Sequence, residues 1–127
     1  MSHVFKLHGD YSVTPASGSP SAAPTVSAPI DETMVLKRAP SVSEYELTSD
    51  AVQAVAFGPA VNAHVIVIKS VGGKIKARLT SADGATQAIA VDSFSVIISE
   101  SVPYTALDLT RVSGVTTTVK VLLGEKA

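Results

Sequence analysis

The side chains best able to do chemistry are few and far apart. The only imidazoles are His3, His8 and His64. A zinc site needs three or four converging ligands. His64 opens a strand-like run with no histidine or carboxylate two residues away, and His3 and His8 form no metal-binding spacing. Nucleophilic catalysis needs a hydroxyl beside a base and an oxyanion hole. Serines are abundant, but none sits in a Gly-x-Ser-x-Gly elbow, and one histidine in the strand-rich part leaves little room for a Ser–His pair. Glu44 and Glu46 share a strand face, about 6.8 Å apart by strand rise, a spacing compatible with paired-carboxylate chemistry. Their expected role is a solvated or interface face, because no aromatic sugar platform accompanies them. Gly72-Gly73-Lys74 touches on a phosphate loop, but the full pattern is missing and a strand follows where a helix is required. It reads as a hairpin turn. The chain has no cysteine, which removes disulfides, thiolate metal sites and Cys nucleophiles. The expectation is a protein with no catalytic residues, no cofactor and no metal.

Lys69, Lys74, Lys76 and Arg78 gather positive charge on one predicted hairpin. Nucleic-acid binding would interleave such a ribbon with stacking aromatics, and none is interleaved here. The formal charge of −1 gives no overall pull toward a polyanion. The cluster is expected to be a solvated, edge-protecting face or a contact for an acidic protein partner.

The elements that must position these residues come in two parts. Residues 12–40 carry five of the seven prolines (Pro15, Pro20, Pro24, Pro29 and Pro40), with Ser, Ala, Thr and Gly between them. Proline removes an amide donor and fixes φ, so this stretch is expected to be extended or irregular. Its 29 residues reach at most roughly 95 Å. Apolar patches sit at both ends: Phe5 and Leu7 before it, and Ile30 with Met34, Val35 and Leu36 near its close. Such anchors predict an ordered arm, residues 1–42, laid on another subunit. One helical candidate is Ile30–Arg38, with Asp31-Glu32 at its start and Lys37-Arg38 at its end.

From Ser43 the pattern is a succession of short strands separated by turn signals. The segments are Ser43–Thr48, Ala51–Phe57, His64–Ser70, Lys74–Thr80, Thr86–Val91, Phe94–Ser99, Thr105–Arg111 and Thr116–Leu123. His64–Ser70 is apolar on both faces and reads as a central strand. Ala82-Asp83-Gly84-Ala85 carries a tight-hairpin signal. Val, Ala, Ser and Thr make up about half the chain, charged residues 17% and aromatics 5%. The predicted fold is all-β: an antiparallel, jelly-roll-like β-sandwich of about eight strands over residues 43–127. Its expected core is Leu47, Val55, Val65, Val67, Ile75, Leu79, Ile89, Val96, Ile98, Leu107, Leu109, Val119 and Val121. The N-terminus, MSHVFKLHGD, lacks the apolar stretch of a secretory signal, and no window approaches a membrane span.

The phrases VIVIKSVGGKIKARLTSADGATQAIAVDSF and VPYTALDLTRVSGVTTTVKVLLGE, with the Pro-rich arm, resemble the small all-β virion proteins of tailed bacteriophages. That class includes capsid decoration (cement) proteins and small tail or neck components. The resemblance covers about 60 residues plus the composition of the arm, and it transfers no active site. It implies a non-enzymatic virion protein, assembled in the host cytoplasm, whose partners are the major capsid protein or other virion proteins and copies of itself. No specific nucleic acid and no membrane are expected. A tail, neck or baseplate component is the alternative within that class. A ligand- or carbohydrate-binding sandwich is the alternative outside it.

Overall fold

The computed structural model describes residues 3–13, 26–58, 61–112 and 114–127, with backbone alone at residues 10–13 and 26–30. Ten strands follow in chain order: β1 (His3–Val13), β2 (Val26–Leu36), β3 (Ser41–Leu47), β4 (Gln53–Ala54), β5 (Val65–Val71), β6 (Ile75–Ser81), β7 (Thr86–Val91), β8 (Phe94–Ile98), β9 (Tyr104–Arg111) and β10 (Thr117–Gly124). All pairings are antiparallel. One sheet has the order β3-β10-β5-β8 and a second the order β4-β9-β6-β7, while β1 and β2 form a hairpin of their own. The pairs β3/β10, β4/β9, β5/β8 and β6/β7 are nested in sequence. The two four-stranded sheets enclose one core, giving a sandwich-like, all-β arrangement.

Alternation of apolar and polar side chains orients each strand. On β6, Ile75, Ala77 and Leu79 point inward; on β9, Leu107 and Leu109; on β10, Val119, Val121 and Leu123. Leu47, Val55, Ile75, Leu79, Leu107, Leu109, Val119 and Val121 are buried in this core, as their spacing predicts. Strand β5 departs from expectation. Its inward residues are Ile66 and Ile68, set opposite Leu123 and Val121 of β10. Val65 is buried on the other face of the same sheet, and Val67 is only half-buried. A run apolar on both faces contains no alternation to choose between them; the register with β10 makes the choice. Ile89, Val96 and Ile98 are likewise half-buried, and Val91 takes a core place instead.

Two further readings change. Ile30–Arg38 forms no helix: residues through Leu36 belong to β2, each paired with a residue of β1. The arm is therefore regular over β1 and β2, where composition suggested an irregular path. Proline is tolerated because a two-stranded ribbon consists of edges, and Pro29 faces Asp10 there. The segment Ala51–Phe57 yields only the short strand β4, after which Val55 donates its amide to the Leu107 carbonyl at 2.9 Å.

The turns follow their residues. Gly72 and Gly84 take φ of 106° and 89° at the β5–β6 and β6–β7 turns, a region open to glycine at little cost. At Gly72 a Cβ would lie 2.8 Å from the Thr116 carbonyl oxygen, so a side chain is excluded there on two grounds.

Candidate functional site

The outer face of the first sheet is where the N-terminal hairpin meets the sandwich. Cross-strand partners share a face, so Phe5 lies beside Met34 and His3 beside Leu36. Met34 and Leu36 are buried with Val65, and Phe5, Val67 and Ile98 pack against them. Gly124 makes this approach possible: a Cβ there would come within 3.0 Å of a Leu36 methyl. The second apolar face of β5 is thus the seat of the hairpin.

The C-terminal tail locks the seat. Lys37 donates its amide to the Glu125 carbonyl at 2.8 Å, and Ala127 donates to the Val35 carbonyl at 2.9 Å. The buried Glu125 carboxylate lies 3.5 Å from Lys37 Nζ and 3.8 Å from Arg38 Nε. Its Oε2 has no hydrogen-bond partner, so these two cations supply the compensation a desolvated carboxylate needs. His64 Nδ1 accepts the Lys126 amide at 3.1 Å, which gives this imidazole a structural role. Lys126 Nζ reaches Glu100 at 2.7 Å.

Of the predicted interface residues, Met34 and Leu36 are turned onto the chain's own sandwich rather than offered to a neighbour, and Phe5 packs with them. Leu7 shares their face opposite Glu32 and is half-buried. Val35, with Val4 across from it, points the other way and is exposed. Ile30 lies on β2, and its side chain is outside the described residues. The arm is thus fastened to its own domain at the base.

Beside that seat runs an apolar row across all four strands of the first sheet: Val42, Leu122, Val67 and Val96 stand in register. Val42 is 70% exposed, and Phe94 in the adjacent row is 59% exposed. The adjacent row reads Glu44, Lys120, Lys69 and Phe94, with Glu44 4.0 Å from Lys120. Of the paired carboxylates of the sequence, Glu44 therefore faces a lysine and Glu46 stands opposite Thr118, both on an exposed surface.

The basic cluster is divided. Lys69 projects from the outer face of the first sheet, whereas Lys76 and Arg78 lie on the outer face of the second. Lys74, also exposed, sits at the turn preceding β6. The period-2 alternation that puts Lys74, Lys76 and Arg78 together cannot hold Lys69, which the turn carries to the other layer. Arg78 stands directly across from Asp108. Val52, Lys76, Arg78, Asp108 and Thr110 line a shallow groove of about 180 Å³.

A larger cleft, about 430 Å³, lies between the β6–β7 turn and the segment joining β8 to β9. Ser81, Asp83, Gln87, Ser99, Val102 and Tyr104 are among its walls. Sequence spacing did not foretell it, because one half is the β6–β7 hairpin turn of the second sheet and the other is the crossover from β8 in the first sheet to β9 in the second. The Asp83 carboxyl titrates below its ordinary value because the Ser81 hydroxyl and the Ala85 amide donate to it. Among the described residues no group of three or more His, Asp and Glu side chains is placed to hold a metal. No helix among them is long and apolar enough to cross a membrane.

No protein-family model matches the chain, and no curated protein or solved structure matches it.

Proposed function

We propose that this chain is a non-enzymatic structural protein of a tailed-phage virion, most specifically a decoration protein that cements the capsid shell. The observation that carries the reading is the β1–β2 hairpin. It is anchored through Phe5, Met34 and Leu36 and by a bridge from Leu36 to Lys126, yet among the described residues its strands belong to no larger sheet. An isolated two-stranded ribbon is marginal in water, so its outer length gains stability by lying on a partner. The apolar row from Val42 to Val96, beside the anchor, supplies a second contact area on the same face. The partners are the major capsid protein and neighbouring copies of this chain. Many modest contacts then hold a shell together by avidity.

The nested pairing of β3/β10, β4/β9, β5/β8 and β6/β7 supports the same reading. We read two four-stranded sheets filled in that order as a jelly roll, a fold used by viral capsid and lectin domains. Its eight strands run from Ser41 to Gly124.

The test replaces residues 9–30 with an Asn-Gly turn, which closes a two-residue hairpin between His8 and Asp31. The seat of Phe5, Met34 and Leu36 stays intact. The variant and the full chain are sedimented with phage shells lacking the protein. The full chain should pellet with the shells at a copy number matching the shell lattice, and the variant should bind at least about tenfold more weakly, roughly 1.4 kcal/mol. Equal binding by both would remove the arm from the proposal. A copy number of a single small ring would assign the chain to the neck or tail instead.

A further inference from the structure

We propose that the cleft between the β6–β7 turn and the β8–β9 segment binds a neutral saccharide. This cleft is separate from the surface proposed for shell attachment, since neither the hairpin nor the Val42–Val96 row lines it.

The cleft's chemistry narrows its ligand. Its lining includes no lysine, arginine or histidine, so a phosphate or carboxylate would find no countercharge. One carboxylate cannot hold a divalent cation alone. What is present suits hydroxyl groups. Ser81 and the Ala85 amide (3.1 Å) both donate to Asp83 Oδ1, which fixes the carboxylate in the turn and leaves Oδ2 for ligand hydroxyls. Gln87 is exposed and offers both an acceptor and a donor. Ser99 Oγ donates to the Val102 carbonyl at 2.5 Å, so its lone pairs remain to accept. A sugar ring also has an apolar face, which packs on an aromatic side chain. Tyr104 supplies that wall. It is half-buried against the core, and its backbone exchanges hydrogen bonds with Ala63 at 2.8 Å in both directions. The scarcity of aromatics argues against a sugar platform only while they are taken as scattered; folding sets one of the three tyrosines beside the turn carboxylate.

An open cleft with a single aromatic wall predicts weak binding per site, a Kd on the order of 1–10 mM. The test is a titration of the full-length protein, followed by amide chemical shifts, with the methyl glycosides of glucose, galactose, mannose and N-acetylglucosamine. At least one should give saturable shifts confined to the amides around Asp83, Gln87, Ser99 and Tyr104. Asp83→Asn keeps an oxygen for Ser81 and Ala85, so the turn stays intact while the carboxylate charge is lost. It should weaken binding by about tenfold, as should Gln87→Ala, with the remaining spectrum unchanged. No saturable shift with any glycoside would overturn the proposal. So would binding that both variants leave undiminished, or a cleft that responds to methylammonium, as a mimic of a partner lysine, and to none of the sugars.

Discussion

Ser93 takes φ of 107° at the turn joining β7 to β8, a backbone region that side chains other than glycine rarely adopt. Ser70 holds it there: the Ser70 amide donates to the Ser93 carbonyl at 2.8 Å, and the Ser93 amide donates to Ser70 Oγ at 3.0 Å. Neither bond uses the Ser93 side chain. Ser93→Gly should therefore raise stability by about 1 kcal/mol, relief of strain exceeding the extra unfolded-state entropy; thermal and urea melts will show it. Asp83 acts through charge instead. Its carboxyl titrates lower folded than unfolded, so its stabilising contribution is complete above the unfolded value. The contribution is lost as pH falls through the folded value. Asp83→Ala should lower stability at neutral pH and flatten the acid limb of a stability–pH curve measured by urea unfolding. A curve of unchanged shape would show that Ser81 and Ala85 do not stabilise the charged form.

At the scale of elements, the hairpin and the sandwich depend on one small cluster. Leu36 is 6% exposed and Val65 fully buried. Leu36→Ala opens a cavity between them and should cost about 2–4 kcal/mol. Amide exchange should locate the loss: β1 and β2 become less protected, while β5, β6, β9 and β10 keep their protection. Uniform loss across all of them would mean that hairpin and sandwich unfold together. The anchor also decides what a truncation does. A chain beginning at Ser41 keeps the core of both sheets but uncovers Val65 and takes Lys37 and Arg38 away from the buried Glu125 carboxylate. Such a chain should unfold at lower urea concentration than the full protein. Replacing Glu125 by Gln in the truncated chain should recover part of the difference, since it removes a buried charge left without its cations.

For the whole molecule, the pairing of β3 with β10 brings the two ends of the sandwich together, and every other pair of the two four-stranded sheets falls within that span. Much of the sheet must therefore close over long sequence separations. Refolding should be slow for a chain of this size, on the order of milliseconds to seconds, as stopped-flow far-UV circular dichroism can determine. The hairpin variant with an Asn-Gly turn should refold at the same rate, because the described residues it removes, 9–13 and 26–30, pair with one another and with no strand of the sandwich. A faster or slower phase in that variant would place the arm in the folding nucleus.

The all-β class and most of the core were legible in the residues. Strict alternation on β6, β9 and β10 admits one inward face, and glycine or Asp-Gly at the turns spaces the strands. Where that local signal was absent or ambiguous, tertiary structure decided. The apolar run of β5 could turn either way until β10 set its register. Pro-rich composition spoke for an irregular arm, but pairing with β1 takes up those amides of β2 that face it, and burial of Met34 and Leu36 fastens the ribbon. The pattern showed Lys69 and Lys76 as neighbours, and a turn between two layers set them on different faces. The seat at Val65 and the cleft at Asp83 join residues distant in the chain. Sequence periodicity reports only which side of its own strand a residue occupies, and contacts between strands far apart in sequence exist only once the sheets have closed.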